Sequence, residues 1–327
     1  MGSVTCSKTV FLAVFQTGAC KVTAAAEIGS GLATKFTGLW RLSRFKDYAG
    51  SVIFTTGLGI AAAGGVWSWR LLLVLLANLL AVGFAFMYND LEDAPDDALD
   101  AKKIKRNPVT AGLISSRDAG IASWFVAALA LLLFIPLGLT VTLLGTACIA
   151  LGFLYSYRPW RLKGIAVIDV VSHALMLSSL QLLCGYFAFA DSLNTAYIAP
   201  LLSMTAASAY GQLFNQVRDF EVDREAGLRN TAALLGKPRV QFLMQSLLTL
   251  AIAAGAWSLL IQRMAPWWVF AFGLALLFVM VIPGVVRGVL NRNLQQAHAP
   301  VIYALPYTGT GMMIAWFIVP WLIPALR

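Results

Sequence analysis

Charge is scarce in this chain. Only 12% of its 327 residues are Asp, Glu, Lys or Arg, against about 25% in a soluble domain. That shortage excludes disorder, which needs charge and polarity, and it excludes a soluble two-domain protein of this length. Cysteine chemistry is missing as well. Cys6, Cys20, Cys148 and Cys184 form neither a CxxC pair nor a metal-ligand spacing, so no structural disulfide is expected. No secretory leader is expected either, because the apolar run from Val10 to Phe15 is too short for one. The start Met-Gly-Ser-Val-Thr-Cys departs from the myristoylation pattern at Cys6, where Ser or Thr is required.

What the chain has in quantity is apolar surface: 59% of its residues are hydrophobic. A membrane-spanning helix needs about 20 mostly apolar residues. Nine segments meet that need: Ala49–Val66, Leu71–Tyr88, Ile121–Leu139, Val141–Tyr157, Ile165–Ala190, Ala196–Val217, Val240–Ile261, Trp267–Val286 and Val301–Ile323. Backbone groups in lipid must pair internally, so the segments are read as helices and the fold as all-α and multi-pass. Residues 1–48 hold no span and are read as a cytoplasmic or interfacial segment preceding a transmembrane domain over 49–325.

The basic residues give an orientation. Lys and Arg outnumber Asp and Glu by 24 to 15. In a soluble chain that balance points to nucleic acid; in so apolar a chain it points to the positive-inside rule, and no nucleic-acid partner is expected. Nine spans place the N-terminal segment and the loops after spans two, four, six and eight on one side. Only Arg70, Arg263 and Arg327 fall on the other. The N-terminus and the basic loops are therefore assigned to the cytoplasm. Trp67, Trp69, Trp267 and Trp268 fit an aromatic belt at the outer face.

The acidic residues are not spread over the loops. Most sit in two windows, Asp90 to Asp100 and Asp219 to Glu225, after spans two and six. The first reads Asn89-x-x-x-Asp93-x-x-x-Asp97, the second Asn215-x-x-x-Asp219-x-x-x-Asp223. Their internal spacing is identical, and four spans separate them. The pattern is that of a duplicated four-helix unit with a ninth helix added. One acidic window beside basic residues is an ordinary solvated loop; two copies at equivalent places are not. A transporter would place its ionisable groups near the membrane midplane, whereas these lie at the cytoplasmic ends.

A spacing of four keeps side chains on one helical face. Two facing stripes would gather Asp93, Asp97, Asp219 and Asp223 around one cavity, where they repel one another unless divalent cations sit between them. Such oxygen ligands suit Mg²⁺, which commonly joins carboxylates to substrate phosphates. Lys102, Lys105, Arg106, Arg161, Lys163, Arg218 and Arg224 lie near by along the chain and can hold the remaining phosphate oxygens. Carboxylates, Mg²⁺ and cations at a membrane surface point to a diphosphate head group on a lipid tail. Inside span five, Asp169 and His173 are spaced i,i+4. Intramembrane ionisable residues are functional candidates by default. The two are either a proton-accepting pair or a mutually satisfied buried pair. His298 is read as structural, and Asn78 and Gln181 as interhelical hydrogen-bonding residues.

On these residues the chain resembles the UbiA superfamily of intramembrane prenyltransferases. The superfamily's first motif, NDxxDxxxD, is matched by Asn89-Asp90 through Asp97, and its second by Asn215, Asp219, Asp223 and Gly227. Tyr155-Ser156 followed by Arg161-Leu162-Lys163 is similar to its YS…RLK segment. Asn107-Pro108 through Gly112 is similar to its RPxxSG segment, with Asn107 in place of the usual Arg. The resemblance implies nine helices and Mg²⁺ on the four aspartates. It implies diphosphate contacts from Asn89, Asn215, Tyr155 and the cations, with transfer of a polyprenyl group to a hydrophobic acceptor. The second motif is most similar to the branch that prenylates aromatic quinone precursors. A terpene cyclase on the same scaffold, or a lipid-binding or transport protein without chemistry, are the alternatives.

Overall fold

The computed structural model describes residues 31–323 apart from Ala226 and Arg263; for Ala101, Lys102, Val222, Asp223 and Glu225 it gives the backbone alone. Most of the expected N-terminal segment, and the side chains of Lys102 and Asp223, lie outside the described residues. Every regular element among the described residues is helical. In chain order they are α1 Leu32–Ser43, α2 Phe45–Ala62, α3 Trp69–Asp97, α4 Ala101–Arg106, α5 Ser116–Leu137, α6 Leu139–Ser156 and α7 Ile168–Phe187. The rest are α8 Ile198–Arg218, α9 Phe220–Glu225, α10 Thr231–Leu235, α11 Lys237–Ile261, α12 Trp267–Leu290 and α13 Leu294–Leu322. Short turns of 3-10 or π type complete α5, α7 and α11.

Seven of these are long and apolar enough to cross a membrane: α3, α5, α6, α7, α11, α12 and α13. The two other segments expected to span also form helices, α2 and α8, but their composition is more polar. α2 carries Ser51, Thr55 and Thr56, and α8 carries Ser203, Thr205, Ser208, Gln212 and Asn215. Their positions account for this. α2 packs against α3, α7 and α13, and α8 packs along α11 and the first half of α7. Polar side chains there meet protein rather than lipid, as bundle interiors allow.

α2 and α7 approach so closely that only glycine fits at the crossing. A Cβ on Gly59 would strike the carbonyl oxygen of Leu182, and one on Gly185 the carbonyl oxygen of Thr56. Next to this crossing, buried Asn78 of α3 donates to Thr56 Oγ1 at 2.9 Å and to the Gln181 carbonyl at 3.1 Å, as expected of an interhelical amide. Gln181 instead turns its own amide back to the Met176 carbonyl, 2.8 Å away in the π turn of α7. Cys148 and Cys184 are buried free thiols. His298 is buried, with Tyr210 at 2.5 Å and Gln245 at 2.8 Å from its two ring nitrogens.

Candidate functional site

The first motif is built on one uninterrupted helix. α3 runs through Asn89, Asp93 and Asp97 to its end, so the helical repeat alone sets their spacing. Pro95 removes the N–H that would bond the Leu91 carbonyl, but it stands so near the end of α3 that the helix is not interrupted before Asp97. Asn89 donates to Asp93 Oδ2 at 3.0 Å and accepts from Ser156 Oγ at the end of α6, also at 3.0 Å. The loop after α6 then wraps across the stripe. Arg161 takes a left-handed backbone, φ 36°, unusual for a residue with a Cβ, and this turn presents two cations. Arg161 Nη2 lies 2.9 Å from Asp93 and 2.8 Å from Asp96. Lys163 Nζ lies 2.9 Å from Asn89 Oδ1 and 2.6 Å from each oxygen of Asp93. Burial pushes the Lys163 pKa below the usual lysine range although Asp93 pulls it up. Burial acts the same way on Arg161, but its bond to Asp96 and the field of Asp93 outweigh it and its pKa is raised.

Three further residues hold this half together. Asn107, only 2% exposed, donates to Asp97 Oδ2 at 2.9 Å and to the Asp90 carbonyl at 2.7 Å. Arg44 pairs with Asp90 at 3.2 Å and stacks on Phe86, 4.7 Å from its ring centroid. Arg158 pairs with Asp96 at 3.1 Å. In the sequence Asn107 stands out only as a departure, and Arg44 and Arg158 only as members of the basic segments. The adjacency of Arg158 to Arg161 was the available signal.

The second motif is held differently. α8 ends at Arg218 and Asp219 is its C-cap, φ −96° and ψ 8°, so the helical stripe does not continue to Asp223, which lies in the separate helix α9. Arg218 grips the Asp219 carboxylate with two bonds, 2.9 and 2.8 Å, and donates to Tyr303 at 2.9 Å. Helix α6 links the two halves. Ser156 holds Asn89, and its neighbour Tyr155 accepts from Gln212, 3.0 Å away on α8 and one turn before Asn215.

The other expected cations are less engaged. Arg224 pairs with Glu221 at 3.0 Å in an exposed position. Lys105 and Arg106 are exposed at the end of α4, and their carbonyls accept from Arg41.

Asp169 and His173 are not joined to each other. Asp169 is fully buried and accepts from the backbone N–H of Val170 and Thr231, both at 2.8 Å, from Gln216 at 2.7 Å, and from the Thr231 hydroxyl. His173 instead meets Ser208 of α8 at 3.3 Å, with its ring 6.3 Å from that of Tyr155. The pairing expected from their shared face fails because Gln216 of α8 and Thr231 at the start of α10 supply better donors to Asp169. Of the aromatics near the motifs, Phe84, Tyr88 and Tyr157 pack in a ring cluster with Trp124 and Phe153, and Phe86 stacks on Tyr48. Tyr155 lies beside His173.

Among the described residues, no three Asp, Glu, His or Cys side chains converge on one point; Asp93 and Asp219 each face a cation of the chain instead. The donor chemistry nonetheless fits a divalent cation and a diphosphate. Lys163 Nζ sits among three oxygens of Asn89 and Asp93, the environment a hard cation requires. Arg161 Nε is buried without a partner, a donor left for an anion oxygen.

A model of the UbiA prenyltransferase family matches residues 51–301. Among curated proteins, the chain is similar to a lycopene elongase/hydratase of Haloarcula japonica, with 29% identity over 282 residues, 84% of this chain and 88% of that protein. It is also similar to a 4-hydroxybenzoate octaprenyltransferase of Aliivibrio salmonicida, with 24% identity over 235 residues, 68% of this chain and 78% of that protein. Two solved structures share the fold. A UbiA homolog from Archaeoglobus fulgidus bound to GPP and Mg²⁺ superposes with a TM-score of 0.60 at 22% identity, covering 85% of this chain and 99% of that one. The apo structure of a UbiA homolog from Aeropyrum pernix K1 gives 0.67 at 17% identity, covering 82% and 96%.

Proposed function

The chain belongs to the UbiA prenyltransferase family, and from that premise we propose that it transfers a polyprenyl group from its diphosphate to a hydrophobic acceptor in the membrane, with Mg²⁺. One observation carries the reading: Arg161 and Lys163 converge on the Asn89–Asp93 stripe, and a buried Arg161 N–H remains open. Mg²⁺, held by Asp93, Asp97, Asp219 and Asp223, would supply Lewis-acid neutralisation of the leaving diphosphate.

The chain's own residues do the rest. Arg161 and Lys163 hold phosphate oxygens and meet the charge that develops as the allylic C–O bond breaks. Asn89 and Asn215 orient ligands as neutral donors and acceptors, Arg218 moves from Asp219 toward phosphate, and Lys102, Lys105, Arg106 and Arg224 raise the local positive potential. The helices exclude water that would quench an allylic cation, and Tyr155 offers it a ring face. His173, beside Tyr155 and bonded to a neutral hydroxyl, accepts the proton released after the new bond forms.

We read the whole as nine spans, two four-helix units plus one, with α2 and α8 as interior spans. The basic loops support placing the N-terminus and both motifs on the cytoplasmic side, with residues 1–48 as a separate surface segment. For the acceptor, the first reading is an aromatic quinone precursor, as for the relative named for 4-hydroxybenzoate. A polyene acceptor is the second, favoured by the more extensive similarity to a lycopene elongase/hydratase. Purified protein incubated with a panel of prenyl diphosphates tests all of this. Prenylated aromatic or polyene products, formed only when acceptor is added, support transfer and choose between the acceptors. Diphosphate release with cyclised product and no acceptor means a cyclase, and no release means a protein without this chemistry.

A further inference from the structure

The two motifs share a spacing but not a support. Asn89, Asp93 and Asp97 stand on one helix, whereas the second motif leaves its helix at Asp219 and resumes in α9. Backbone geometry alone therefore does not set Asp219 and Asp223 relative to Asn215. Both ends of the segment from Gln216 to Thr231 meet at one buried carboxylate. Gln216 donates to Asp169 Oδ2 from the near end; from the far end Thr231 donates its N–H to Oδ2 and its hydroxyl to Oδ1. The ends are also tied directly, since Gln216 Oε1 accepts from Ala232 N at 2.9 Å. Thr231 Oγ1 accepts from Val167 N at 2.8 Å, which anchors the junction to the start of α7.

A carboxylate offers about four acceptor sites, and Asp169 has four neutral donors on it. Those bonds, with its place in the first turn of α7, satisfy a buried carboxylate that pairs with no cation among the described residues. They also leave no oxygen free to take a proton from substrate. We infer that Asp169 is a positioning residue, a clasp that closes the segment carrying Asp219 and Asp223 and so aims the second motif at the diphosphate. The inference rests on the reading of those aspartates as diphosphate-site residues. It separates Asp169 from His173, which acts on the other side of the reaction.

Asp169→Asn places an amide where a donor already points, and Thr231→Val removes the hydroxyl; Thr231→Ser retains both donors. Two readouts test the clasp in the full-length protein: trypsin cleavage after Arg224 and Arg229 compared with Arg117, and the Mg²⁺ concentration for half-maximal prenyl transfer. Asp169→Asn and Thr231→Val should each speed cleavage at Arg224 and Arg229 about tenfold with Arg117 unchanged. They should raise the Mg²⁺ requirement about tenfold while saturating Mg²⁺ restores most of kcat. Thr231→Ser should cleave like wild type. The clasp is overturned if cleavage at Arg224 and Arg229 is unchanged while kcat is lost at every Mg²⁺ concentration, which would make Asp169 a reactant. It is equally overturned if Arg117 is exposed in parallel. If Asp169→Asn fails to fold, Thr231→Val carries the comparison. A wild-type enzyme indifferent to Mg²⁺ would sink the functional reading, while the cleavage pattern would still decide the clasp.

Discussion

Lys163 Nζ touches both carboxylate oxygens of Asp93 at 2.6 Å while also reaching Asn89. On the proposed function, an ammonium so placed would have to yield to a divalent cation on the same oxygens, and its new partner would be a phosphate oxygen of the donor. Lys163→Met should therefore lower kcat about 100-fold with Mg²⁺ in excess, the scale of losing one preorganised charge donor. Steady-state kinetics on the purified variant decides it. An unchanged kcat would reduce Lys163 to a counter-ion for the empty carboxylate.

Asp93→Asn and Asp219→Asn should each cut turnover by at least about 100-fold, near 2.7 kcal/mol of barrier, with the fold intact by circular dichroism. Chelation should abolish wild-type activity and added Mg²⁺ should restore it. Full activity in excess chelator removes the metal from the reading.

Single cysteines at Ala101 and Ala226 should react with an impermeant maleimide only from the cytoplasmic side, and one at Asn194 only from the outer side. Labelling of 101 and 226 from opposite faces would mean that the two motifs cannot bind one diphosphate.

His173→Ala should impair product formation while a non-hydrolysable polyprenyl diphosphate analogue binds with near-wild-type affinity, since a group used only after ionisation does not contribute to ground-state binding. Asp93→Asn should weaken binding of the analogue as well as turnover. Normal rate and product profile per folded molecule in His173→Ala would leave it a packing residue.

Gly59→Val should destabilise the bundle by about 1–3 kcal/mol, because its side chain has to displace the Leu182 carbonyl of α7. Thermal unfolding in detergent measures this, and an unchanged midpoint would mean the helices separate freely at that crossing.

The apolar runs and the first motif were readable in the sequence because each depends on local periodicity. α3 forms where expected, and Arg161 and Lys163 reach the stripe from the next basic loop along the chain. What was unreadable depended on distant partners. A spacing of four after Asn215 looks helical through Asp223, yet the chain breaks at Asp219, where Arg218 turns to Tyr303 of α13. Asp169 and His173 share a face in sequence, but Thr231, remote along the chain, outcompetes the histidine. Asn107 looked like the loss of a cation; buried, it is a two-way donor to the first motif.

Tyr155 and Ser156 are consecutive on α6, and one reads each half of the site. Successive helical residues point about 100° apart, so this single turn acts as a gauge block between the halves. A one-residue insertion before Tyr155 would carry its ring to the place of Ser156 and leave the second half facing Leu154. Drift in this protein's length should therefore be tolerated in α12, which packs on α13, and rejected inside α6, although α6 supplies no carboxylate to the reaction.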